Sequence, residues 1–300
     1  PGGSSSGSAA AVADHMVPLA LGTQTAGSLI RPASYCGIVA YKPSMGLISR
    51  AGAKPLSDTL DVVGTLARNV PDAAMFAAAL SGRDDLRVKP VQEHLSHRLR
   101  VGVCRTYEWD QAEVESQNAL LHATQVLQSS SDVEVCDITL PADFQHLVQA
   151  QTQVQLFEQA HNLAHEHIVH YAQLSPRLQG ILNSGKAITH AQYDAALQHI
   201  ARCRAQLPQV FANVDVLLTL SAQGPAPLGL DNTGDPLFCR IWTALHTPSV
   251  NVPAGTNGSS HSRSPNNARN GLPIGLQVVG LPMHDALVLS AAHHLHMGLR

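Results

Sequence analysis

The chain has no apolar run near the roughly 18–20 residues needed to cross a bilayer as a helix. It also lacks a charge surplus: 19 Lys plus Arg stand against 22 Asp plus Glu, a net charge of −3 with a pI near 6.7. Nothing electrostatic therefore favours nucleic acid or an anionic membrane surface as a partner. Its five cysteines, Cys36, Cys104, Cys136, Cys203 and Cys239, are odd in number, widely spaced and without a CxxC pair. That usage argues against a disulfide framework and predicts buried thiols in a reducing, cytoplasmic compartment. Lysine is scarce, at Lys42, Lys54, Lys89 and Lys186 alone. Histidine is abundant, but its spacing matches no ligand framework. In the densest cluster, His161, His165, Glu166, His167 and His170, the HExxH order is not met. His293, His294 and His296 also lack a third-ligand motif. The cluster reads as a solvated helix face, and neither a metal nor a cofactor is expected.

What is present concentrates at the start. Two Gly/Ser-rich turns, Gly2-Gly3-Ser4-Ser5-Ser6-Gly7-Ser8 and Gly22-Thr23-Gln24-Thr25-Ala26-Gly27-Ser28, bracket a short apolar stretch. Small residues let a backbone turn tightly, and consecutive N–H groups in such a turn converge on an anion. A serine there becomes a nucleophile once a base lies within reach. Gly/Ser-rich segments are usually linkers. The apolar residues Ala9–Val12 and Val17–Leu21 argue otherwise, since a linker has nothing to bury. The GxSxG elbow is not matched, because Gly2-Gly3-Ser4-Ser5-Ser6 lacks its closing glycine.

The stretch GTQTAGSLIRPASYCG resembles the signature of the amidase signature family of serine hydrolases. It is closer to the malonamidase-like branch than to the A-type chains of tRNA-dependent amidotransferases. The likeness continues through Tyr41-Lys42-Pro43-Ser44 and Leu60-Asp61-Val62-Val63-Gly64, and returns in Pro248–Gly255 and Gly271–Gly280. It implies a Ser–cis-Ser–Lys triad, with Ser28 as nucleophile and Ser4, 24 positions earlier, as the bridging serine. A neutral lysine takes the proton through the bridging hydroxyl, which requires burial to lower its usual pKa of about 10.4. The oxyanion falls to the N–H groups of Thr25, Ala26, Gly27 and Ser28. Arg31 stands where malonamidase-like relatives bind a substrate carboxylate; its other reading is an internal salt bridge or backbone clamp.

None of the four lysines matches the family's lysine motif, which lies upstream of the serines. The chain is accordingly expected to be the C-terminal part of a longer amidase, inactive alone. The implied reaction is hydrolysis of a carboxamide to carboxylate and ammonia through an acyl-serine. The partner is a small-molecule amide, carboxylate-bearing if Arg31 faces it, and a homodimer is an admissible assembly. Two alternatives stand beside it: an amidotransferase A-type subunit passing ammonia to a tRNA-dependent partner, and a non-catalytic fragment.

Strands interleaved with helices predict an α/β fold. The resemblance specifies a mixed central sheet sandwiched between helices, truncated at the N-terminus, as one domain over 1–300 with a variable helical region at 142–210. A helix is expected over Val70–Leu80 with Gly82 beyond its end. Strands are expected at Leu99–Cys104 and Val133–Ile138, flanking a helix of about 15–20 residues. Long polar helices follow at 142–172 and 188–206, separated by Ser175-Pro176-Arg177. Buried strands are expected at Val214–Leu220 and Pro273–Gly280, a mobile loop at 256–270 and a terminal helix at Ala286–Met297.

Overall fold

The structure is a computed structural model and describes residues 1–256 and 271–299. Eight strands form one sheet: β1 (Leu19–Gln24), β2 (Val39–Lys42), β3 (Val62–Ala67), β4 (Leu99–Cys104), β5 (Val133–Ile138), β6 (Val216–Leu220), β7 (Ser249–Thr256) and β8 (Pro273–Val279). Its order is β1-β3-β2-β7-β8-β6-β4-β5. The sheet is mixed: β4 runs parallel to β5 and β6, and the other neighbours pair antiparallel. The helices are α1 (Ser6–Ala13), α2 (Ile30–Cys36), α3 (Val70–Ser81), α4 (Val114–Gln128), α5 (Leu147–Asn162), α6 (Ala164–Val169), α7 (Pro176–Lys186), α8 (His190–Val210), α9 (Leu237–Ala244) and α10 (Asp285–Gly298).

Alternation along the strands divides the core in two. Val39 and Tyr41 of β2, with Val216 and Leu218 of β6, join the cluster carrying α3, α4 and α10. Their intervening neighbours point the other way: Ala40 packs with α1 and α2, and Leu217 with α5, α8 and α9. The sheet is thus covered on both faces, the mixed α/β sandwich expected.

Several local readings change. Gly22–Gln24 belongs to β1, because it pairs with Val62–Gly64 of β3. The first Gly/Ser turn ends at Ser6, where α1 begins. Residues 142–172 are not one helix: a 3₁₀ turn leads into α5, and the chain breaks at Leu163 before α6. Ser175-Pro176 starts α7 instead of separating helices. The Ser175 hydroxyl accepts from the Leu178 N–H, and proline occupies the first helical position, where its missing N–H is harmless. The 256–270 loop lies outside the described residues except for Thr256, which ends β7.

One half-buried histidine couples this packing to pH. His246 has a left-handed backbone (φ 60), and its Nε2 lies 2.7 Å from both the Arg204 guanidinium and the Thr59 carbonyl. Burial, then the Arg204 charge, lowers its pKa to about 4 from an ordinary 6.5. A depressed folded-state pKa means stability is full above about pH 6.5 and lost as pH falls toward 4. Wild type is expected to lose about 2 kcal/mol more between pH 7 and pH 5 than His246→Gln, read by urea unfolding. Parallel losses in the two proteins would contradict this account.

Candidate active site

The segment 25–28 is seated by its neighbour Leu29. Gly22 and Gly64 face each other across β1 and β3, and together they leave the space that the Leu29 side chain fills. A Cβ on Gly22 would lie 2.5 Å from Leu29 Cδ1, and one on Gly64 2.4 Å from Leu29 Cδ2 and 2.3 Å from the Tyr41 carbonyl. Gly27 is equally confined, since its Cβ would meet Pro236 Cβ at 2.8 Å. Two opposed glycines are thus the socket on which Ser28 rests.

Every carbonyl of the segment is tied away from it. That of Thr25 accepts from Gln151 Nε2 (3.0 Å), that of Ala26 from Thr243 Oγ1 (2.7 Å), that of Gly27 from the Arg31 N–H (3.0 Å), and that of Ser28 from the Ser5 N–H (3.1 Å). Gln24, buried behind them, accepts from the N–H groups of Leu29 and Ile30 at 3.0 Å and donates to Thr243 Oγ1 at 3.0 Å. Among the described residues, no acceptor meets the N–H groups of Thr25, Ala26, Gly27 or Ser28. Four donors in series beside a half-buried serine hydroxyl suit a developing negative charge.

The bond from Ser5 to Ser28 brings the first turn against the second. Gly3–Ser4 is a cis peptide, and Ser4 is exposed, lining a cavity of about 220 Å³ with Thr23, Thr25, Lys54, Asp58 and Asp61. Arg31 is only 5% exposed, and its fork closes on two backbone carbonyls, Gly3 (2.5 Å) and Gly234 (2.8 Å). This is the backbone clamp. Its Nε is buried with no partner among the described residues, so Nη1 and Nη2 are committed to backbone while one donor of the fork is not.

Other residues of the site carry no local signal. Asp61 accepts from Thr25 Oγ1 (2.6 Å) and from the N–H groups of Leu56 (2.7 Å) and Ser57 (2.9 Å), fixing the cavity wall to the segment. The buried Glu158 accepts from Ser57, from both Thr59 donors and from the Tyr193 hydroxyl (2.7 Å), tying that wall to α5 and α8. The LDVVG motif marked Asp61 without a role; Gln151, Glu158 and Thr243 sit in helices whose sequences look ordinary.

The lysines are accounted for. Lys42 is fully buried, donates to the carbonyls of Thr247 and Pro43, and has its pKa lowered to about 8 by burial. Lys54 pairs with Glu166 and Lys89 with Glu93, while Lys186 ends α7. Cys239 beside Gly27 is no rival nucleophile: burial pushes its thiol up to about 12, and the thiol donates to the Ser221 carbonyl at 3.2 Å. In the histidine-rich stretch, the His161 ring lies tilted against Phe157 at 4.2 Å and contacts its carbonyl, while His167 is buried against Asn183, so the stretch is not wholly a solvated face. Among the described residues no helix is long and apolar enough to cross a membrane.

Comparison with known proteins defines the class: the profile of the Amidase family matches residues 1–289, and the chain belongs to that family. The A-type chain of the glutamyl-tRNA(Gln) amidotransferase of Shouchella clausii is 30% identical, the match covering 97% of this chain and 66% of the relative. A crystal structure of an amidase superposes with TM-score 0.85 at 29% identity, over 98% of this chain and 66% of the other. A vestigial complex bearing on the origins of an s-triazine catabolic enzyme gives 0.81 at 27% identity, over the same shares of the two chains. The chain therefore spans about two thirds of the length of these relatives.

Proposed function

We propose that this chain carries the nucleophile and oxyanion site of an amidase acting on a small-molecule amide. Ser28 Oγ attacks the amide carbonyl, and its proton passes through Ser4 Oγ to an amine base. The resulting oxyanion rests on the N–H groups of Ala26, Gly27 and Ser28. Collapse breaks the C–N bond, the relay returns the proton to the leaving nitrogen, and water then hydrolyses the acyl-Ser28 ester. One observation carries this reading: a segment whose four carbonyls are tied away while its four N–H groups stay open at Ser28.

Among the described residues no lysine is hydrogen-bonded to Ser4 or Ser28, although Lys54 lines the cavity beside Ser4; the base is proposed to be an amine that reaches Ser4 through that 220 Å³ cavity. A second reading, an amidotransferase A-type subunit feeding ammonia to a partner, is supported by the identity of the curated relatives. Both readings share the acyl-Ser28 step.

The test supplies the base from solution. Butylamine is small enough for the cavity, and positioned bases contribute about 10²–10⁴-fold. Hydrolysis of a small anilide by the chain is expected to rise at least about ten-fold with added butylamine, following the unprotonated fraction as pH increases. An equal response in Ser4→Ala would contradict the relay.

A further inference from the structure

Gln151 lies on α5, fully buried, and joins the segment at 25–28 to α9. Its Nε2 donates to the Thr25 carbonyl at 3.0 Å and to Gln155 Oε1 at 3.2 Å. Its Oε1 accepts from Arg240 Nη1 at 2.5 Å, and the same guanidinium nitrogen reaches Gln155 Oε1 at 3.2 Å. The orientation of the carboxamide is forced at both ends. A guanidinium only donates and a backbone carbonyl only accepts, so flipping Gln151 would leave both partners unmatched.

Arg240 faces a second cavity, of about 520 Å³, whose wall also holds Arg177, Asp235 and Pro236. Pro236 is the residue against which Gly27 is packed. Only Nη1 of Arg240 is taken up by Gln151 and Gln155, so a carboxylate that enters beside Glu113 and Asp235 and pairs with the remaining donors draws the guanidinium away from Gln151 Oε1, because guanidinium–carboxylate pairs are the stronger contact. Released from Arg240, the carboxamide is no longer held against the Thr25 carbonyl, the first anchor of the segment that presents the Ala26–Ser28 donors.

We propose that Gln151 is a positioning residue that transmits occupancy of the Arg240 cavity by a carboxylate ligand to the N–H groups at 26–28. The proposal rests on the oxyanion role assigned to those groups but not on any turnover by Ser28.

The experiment is ¹⁵N NMR of the full chain titrated with succinate, following the Ala26 and Gly27 amides and the Arg240 Nε signal. In wild type all three are expected to shift together with one saturation curve. In Gln151→Leu the Arg240 signal still shifts while the Ala26 and Gly27 response is lost. Gln151→Glu serves as the isosteric control: it keeps the Arg240 contact but turns an acceptor against the Thr25 carbonyl. It is expected to displace the two loop amides before any succinate is added. Loop amides that ignore succinate in wild type, that respond undiminished in Gln151→Leu, or that stay unmoved in Gln151→Glu would each overturn the proposal. Acylation of Ser28, assayed separately, distinguishes the two claims. Intact coupling without acylation removes the amidase reading alone, and acylation without coupling removes this one.

Discussion

Ser28→Ala is expected to reduce butylamine-supported amide hydrolysis at least about 10²-fold, with KM little changed, as loss of a nucleophile does in serine hydrolases. The geometry explains why no neighbour substitutes. The Cys239 thiol is held up to about 12 by burial, and the Ser5 hydroxyl is turned onto the Thr23 carbonyl at 3.3 Å. The residual rate would come from the N–H donors and binding alone. A variant that kept more than a tenth of wild-type kcat would show that Ser28 does not attack the carbonyl.

The second large effect concerns stability. Asp285, in the first turn of α10 and 1% exposed, accepts from the Tyr41 hydroxyl (2.5 Å), the Ser44 N–H (2.8 Å) and the Ser44 hydroxyl (2.6 Å). It also lies in the field of the buried Lys42 cation, whose charge it favours against desolvation. Asp285→Ala leaves three buried donors without an acceptor, at about 1–3 kcal/mol each before relaxation. It also removes the counter-charge of a buried ammonium, a change that typically costs about 3–5 kcal/mol by itself. A loss on the order of 4 kcal/mol is expected in urea unfolding at pH 7, with Asp285→Asn losing less because it keeps one acceptor. A loss below about 1 kcal/mol would show that the three contacts exchange freely with water.

These two residues differ in how visible they are in sequence. Ser28 sits in a motif whose glycines and serines announce a tight, donor-rich turn, and Ser4 is assigned only through the family resemblance. Helix α3 was legible for local reasons: Asn69 caps it through the Asp72 N–H at 2.8 Å, and Gly82 ends it at φ 69. Strands β4 and β5 fall at the expected residues because short β-branched runs leave little choice of element.

What stayed hidden depends on contacts between residues far apart in the chain. Gln24 is steered by Thr243, 219 positions away, and Thr25 by Gln151, 126 away. No local pattern marks those partners. Arg31 shows the same limit from the other side. Its spacing from Ser28 was visible, but which carbonyls would take its fork depended on where residues 3 and 234 meet. Ser175-Pro176 misled because a cap followed by proline punctuates a helix start as readily as a gap.

The most direct test of the central claim is to locate the acyl group. The chain would be incubated with p-nitrophenyl acetate, whose leaving group needs no protonation, quenched, digested and sequenced by mass spectrometry. The account predicts acetylation confined to Ser28 and absent in Ser28→Ala. Acetyl groups on another residue, or a Ser28→Ala protein labelled as fast as wild type, would contradict it.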